Sequence, residues 1–146
     1  MPVDGMVLAG NVRRHTAAAV GVVTAALVLC GCGASAARQD AALQAGRTFE
    51  SALASGDYTA ACELLAPQSR EQLEEDEKKK CAPALQGQDL RHGGAVRGSD
   101  VYGRQARLRL EDDTLFLSQF NGGWKVVAAG CTWQSGKPYS CSVRGE

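Results

Sequence analysis

The sequence predicts an α+β domain, with helices first and a curved antiparallel sheet second. Three observations carry that prediction. Ala42, Ala45, Phe49, Ala52 and Leu53 fall on one stripe of helical period. Gln105-Ala-Arg-Leu-Arg-Leu110 alternates polar and apolar residues at the period of a strand. Asn121-Gly122-Gly123 separates two apolar runs and marks a hairpin, because Asn and Gly accept the positive φ such turns need.

The elements follow in order. A first helix covers Leu43 to Ala54, with Asp40 placed to cap it and Ser55-Gly56 to end it. Asp57 is placed to cap a second helix, whose buried side is Tyr58, Ala61, Cys62, Leu64 and Leu65. Pro67 breaks or restarts the helix, and Ser69-Arg-Glu-Gln72 has the capping-box pattern. Glu74, Glu75 and Asp76 each precede a lysine by four residues. Acid before base at that spacing stabilises a helix by about 0.2–0.5 kcal/mol per pair, so Glu74 to Lys80 reads as a solvated helix face. Cys81 to Leu85 is a short turn of helix, and the polar run Gln86 to Gly94 crosses to the sheet.

Strands are expected at Ala95 to Tyr102, Gln105 to Leu110, Thr114 to Phe120 and Trp124 to Ala129. In the second, Ala106, Leu108 and Leu110 face inward and Arg107 and Arg109 outward. Cys131 to Cys141 reads as a closed loop, with Ser140 to Val143 as a last edge strand.

The N-terminus carries a different signal. Arg13 and Arg14 precede an uncharged run from Thr16 to Leu29. About 14 residues make roughly 21 Å of helix, short of the ~20 residues a membrane span needs. A basic start, a short apolar centre and a small-residue exit mark a secretory signal. The run closes on Leu29-Cys30-Gly31-Cys32, which resembles the lipobox of bacterial lipoproteins. That resemblance implies diacylglyceryl transfer to the Cys32 thiol, cleavage after Gly31 and an anchor on the outer face of the membrane. Ordinary secretion, with cleavage near Ala34-Ser35-Ala36, is the alternative. Residues 32–39 then form a small, polar, flexible linker, and residues 40–146 the domain.

Removing residues 1–31 of 146 leaves 115, the size of a single domain. Without Asp4, Arg13 and Arg14, 14 basic and 15 acidic side chains remain, so the basic footprint of a nucleic-acid binder is missing. Four cysteines follow Cys32: Cys62, Cys81, Cys131 and Cys141. An even count in an exported chain reads as disulfides. Three pairings are open. The local one, Cys62–Cys81 with Cys131–Cys141, is favoured because each pair lies within one half of the domain. Each closure is worth roughly 3 kcal/mol in the chain-entropy model. No pair has the close spacing of a zinc site, so no metal is expected.

Gly56-Asp57-Tyr58 within Phe49 to Leu65, the Phe120-Asn-Gly-Gly-Trp-Lys-Val-Val127 hairpin, and Gly130-Cys131 followed by Pro138-Tyr139-Ser140-Cys141 resemble NTF2-like, cystatin-like cone domains, in particular small actinobacterial lipoproteins of that kind. The resemblance covers about residues 40–145 and implies a cone between helices and sheet.

No nucleophile elbow, zincin or phosphate-loop pattern is present. His92 stands alone in a predicted loop. Asp100 and Tyr102 share a strand face, as the acid and phenol of some NTF2-like enzymes would, but fold analogy does not license function. No catalytic residue and no cofactor are therefore expected. The contact surface is expected at the outward Arg107 and Arg109 or at Trp133 and Tyr139 on the stapled loop. The expected role is a membrane-anchored, non-enzymatic binding module for an envelope protein. The alternative is a small-ligand binder or enzyme using the cone, which Phe49, Leu53, Leu108 and Trp124 would have to leave open. Homodimerisation through the sheet is compatible with both.

Overall fold

The computed structural model describes Ser35 to Gly145. Four helices come first: α1 (Ala36–Ser55), α2 (Tyr58–Leu64), α3 (Pro67–Glu77) and α4 (Cys81–Gly87). Five strands follow: β1 (Val96–Tyr102), β2 (Gln105–Leu110), β3 (Thr114–Phe120), β4 (Gly123–Gln134) and β5 (Lys137–Arg144). The strands form one antiparallel sheet in sequence order, and the helices pack against it, so the domain is α+β.

α1 begins earlier than the sequence suggests. Ala36-Ala-Arg-Gln39 contains good helix formers and no breaker, so the helix runs back to Ser35, whose hydroxyl accepts the Arg38 N–H at 3.4 Å. Asp40 is inside the helix and not at its cap. Residues 36–39 of the expected linker are helical. Cys32 and the signal lie outside the described residues. At the other end the expectation holds: Gly56 takes φ 72° and ends α1. Asp57 Oδ1 then accepts the Ala60 N–H at 3.0 Å and caps α2. α1 buries Ala42, Gly46, Phe49, Ala52 and Leu53, and also Glu50. Gly46 sits where α1 lies closest to the sheet, since a Cβ there would overlap Leu108 Cδ1.

The capping box at Ser69 does not form. Pro67 occupies the first turn of α3, where its missing N–H costs nothing. Ser69 is one turn in and fully buried, and its hydroxyl donates to the Val127 carbonyl at 2.8 Å. α3 stops at Glu77 because Lys78 turns left-handed, at φ 53°. Lys78 to Lys80 thus stand beyond the helix, and the three acid–lysine pairs give way to other contacts. The Glu74 carboxylate accepts the Cys81 N–H at 2.8 Å, and Lys79 Nζ lies 4.0 Å from Glu77. The sharp turn brings α4 back to α2, where Cys62 and Cys81 form a disulfide with both residues buried.

On the inner face of the sheet, Val101, Ala106, Leu108, Leu110, Leu115, Leu117, Trp124, Val126, Ala129 and Val143 join the buried residues of the helices in one core. The β3–β4 hairpin forms at Asn121-Gly122, with the positive φ on Gly123 (104°) and not on Asn121.

The segment from Cys131 to Cys141 is not a loop. β4 continues to Gln134, Ser135-Gly136 makes a tight turn, and β5 returns. Cys131 and Cys141 face each other across the two strands and are bonded. A clamp holds the base of this arm. The Asp113 carboxylate accepts N–H groups from Thr114 at 2.6 Å, Cys131 at 2.7 Å and Gly130 at 2.9 Å. The contact spans 17 and 18 residues of sequence, beyond what local alternation reports.

Candidate functional site

The alternation of β2 builds the site. With Ala106, Leu108 and Leu110 buried, Gln105, Arg107 and Arg109 stand on the opposite face. Strand register then sets Asp100, Arg107, Phe116 and Ala128 in one row across β1, β2, β3 and β4. Tyr102 and Gln105 head the next row.

Asp100 is the centre of charge in that row. Arg107 donates to Asp100 Oδ2 from Nε at 3.1 Å and from Nη2 at 2.8 Å. Arg109 Nε lies 3.8 Å from the same oxygen. Arg109 can lie there because Gly98 has no side chain; a Cβ on Gly98 would come within 2.6 Å of Arg109 Nη2. The Arg107 hydrogen bond, aided by the charges of both arginines, holds the Asp100 carboxyl below its ordinary value. Arg107 is pushed up reciprocally, first by Asp100, with Tyr139 adding to the effect.

Tyr139 joins the two surfaces that sequence reasoning kept apart. Its ring meets Phe116 edge to face, with centroids 5.1 Å apart and planes at 75°. The arm therefore brings Tyr139 to Phe116 and Arg107. Asp100, Tyr102, Gln105, Ala106, Arg107 and Phe116 line a shallow depression of about 320 Å³. Tyr102 is 73% exposed, and Trp133, on the arm, is 65% exposed. Gln105 is fixed as well, its Oε1 accepting from Ser118 Oγ at 2.8 Å.

No protein-family model, no curated protein and no solved structure matches this chain. Its chemistry is therefore argued from its own residues.

The side of the sheet that faces the helices is occupied. Phe49, Leu53, Leu108 and Trp124 are all buried in the continuous core. His92 is exposed in the crossover between α4 and β1, on a polar cleft that also takes in Arg91, Asp113 and Thr132. Among the described residues no three of His, Cys, Asp and Glu are arranged to hold a metal ion. No described helix is long and apolar enough to cross a membrane.

Phe116, in the site, and Glu50, buried on α1 away from it, both escaped the sequence reading. Phe116 had a signal: with Leu115 and Leu117 both inward, the residue between them must face out. Glu50 had one as well, since it lies four residues after Gly46 on the apolar stripe of α1, where a carboxylate is out of place.

Proposed function

We propose that the chain is an extracytoplasmic lipoprotein, anchored through diacylglyceryl-Cys32, whose NTF2-like domain is a non-enzymatic binding module for an envelope protein. The two disulfides suggest an extracytoplasmic protein. The apolar run ending at Cys32 supports the anchor, and two acyl chains on one cysteine make such an attachment stable.

The observation that carries the binding role is the meeting of Arg107, Phe116 and Tyr139 beside exposed Tyr102. Aromatic rings and arginine are the residues interfaces favour. Here the guanidinium is pinned by Asp100 and the tyrosine by Phe116, so less rotamer freedom is lost on contact. The filled cone supports recognition on the outer face of the sheet, because a ligand between helices and sheet would have to displace Phe49 or Trp124.

Non-denaturing mass spectrometry of the protein purified from native membranes tests this reading. The expected species lacks residues 1–31, carries a diacylglyceryl group, is two hydrogens lighter for each disulfide and is bound to a second polypeptide. A chain cleaved near Ala36 without lipid would overturn the anchor. A chain carrying only a small molecule would overturn the protein-binding role.

A further inference from the structure

Glu50 is a carboxylate in the wrong place. It is 8% exposed on the apolar face of α1, and its Oε1 is buried without a hydrogen-bond partner. Its Oε2 accepts the N–H of Gly93, in the crossover between α4 and β1. Gly93 in turn accepts the Asp112 N–H on its carbonyl at 2.9 Å. A side chain at Gly93 has no room, because a Cβ would come within 2.8 Å of Asp113 Cβ and 3.1 Å of Leu110 Cβ. The next link is Asp113, whose carboxylate clamps Gly130 and Cys131 at the base of the arm. One buried carboxyl thus stands at the head of a continuous series of contacts. It runs from α1 through the crossover and the β2–β3 turn to the arm that carries Trp133 and Tyr139.

We propose that Glu50 is a proton-operated latch: protonated, it stays buried beneath the crossover and the base of the arm is fixed; ionised, it draws water to the unpartnered Oε1, which outweighs its bond to the Gly93 N–H and loosens both. The charged groups whose fields reach it are Asp113 from the β2–β3 turn and His92 from the crossover. Burial pushes the Glu50 carboxyl above its ordinary 4.5. The Gly93 hydrogen bond opposes this, the Asp113 charge adds to it, and His92 pulls back. A group raised in the folded state favours its protonated form there, so its contribution is complete below 4.5 and is lost as pH rises through the raised value. The ionised form would hold a charge with one N–H to satisfy it and a like charge beside it, an arrangement relieved only by letting water reach Oε1.

Nuclear magnetic resonance of the full chain in detergent, with labelled glutamate carboxyls and backbone amides, tests the latch. The Glu50 carboxyl is expected to titrate above 4.5, with the Gly93 and Gly130 amide signals moving at the same midpoint. Exchange protection of those two amides, corrected for the intrinsic effect of pH, should fall about tenfold or more across the step. Glu50→Gln should remove the step. Glu50 titrating while Gly93 and Gly130 stay still, or a step that survives in Glu50→Gln, would overturn the proposal. The wild-type titration decides it even if Glu50→Gln fails to fold. His92 is exposed, and His92→Gln should keep the step and move its midpoint upward.

Discussion

The two faces of the sheet are built from the same five strands and do opposite work. Inward, Leu108, Leu115, Leu117, Trp124 and Val126 pack on Phe49 and Leu53, and α1 comes so close that a Cβ at position 46 would displace Leu108 Cδ1. Outward, Asp100, Arg107 and Arg109 form an ion cluster, Phe116 and Tyr139 meet edge to face, and Tyr102 stands uncovered. Alternating residues of β2 divide the two roles: Leu108 belongs to the core, and its neighbours Arg107 and Arg109 to the surface. The contrast teaches where recognition can reside. The helix-facing side carries the buried apolar residues, whereas the outer side carries paired polar groups and exposed rings, which is why the proposed recognition is placed there.

Substitutions on the two faces should separate these roles. The largest effect is expected from Leu108→Ala, which removes a fully buried side chain beneath Gly46. It should cost about 2–5 kcal/mol in denaturant unfolding while leaving the chemistry of the outer face intact. A much smaller stability effect, within roughly 0.5–1 kcal/mol, is expected for Arg107→Ala, whose ion pair is partly exposed. If Arg107→Ala unfolded the domain, the outer face would be part of the scaffold and the division of labour would fail. The same ion pair has a pH signature. Asp100 is held below its ordinary 3.8, so the pair is complete above that value and is lost only as pH falls through the lower folded value. A titration of the Asp100 carboxyl by magnetic resonance should show this depression, and Arg107→Ala should relieve most of it.

Much of this architecture was legible in local pattern. Residues 105–110 alternate without exception, Gly56-Asp57 serves as stop and start, and 121–123 turns where expected. The favoured local cysteine pairing is the one the fold adopts. Apart from the start of α1, which local helix propensity carries back to Ser35, the misses share one cause: a distant contact overrode a local signal. Ser69 looks like a helix cap until the Val127 carbonyl is brought to it from 58 residues away. The charge run predicts a longer helix, but the return of Cys81 to Cys62 requires a turn at Lys78. Cys131 to Cys141 reads as a loop because Trp133, Gln134 and Ser135 do not alternate, yet the cross-strand disulfide and the Asp113 clamp hold the segment as paired strands. Tyr139 and Arg107 lie 32 positions apart, and no spacing rule joins them.

Photo-crosslinking in intact cells tests whether the outer face of the sheet meets a partner. A photoreactive residue would replace exposed Tyr102 in one version of the full chain and exposed Glu75, on α3, in another. If the outer face binds, position 102 should give an adduct with one discrete polypeptide, lost on Arg107→Ala, and position 75 should give none. Equal adducts from both positions, or none from position 102, would contradict it.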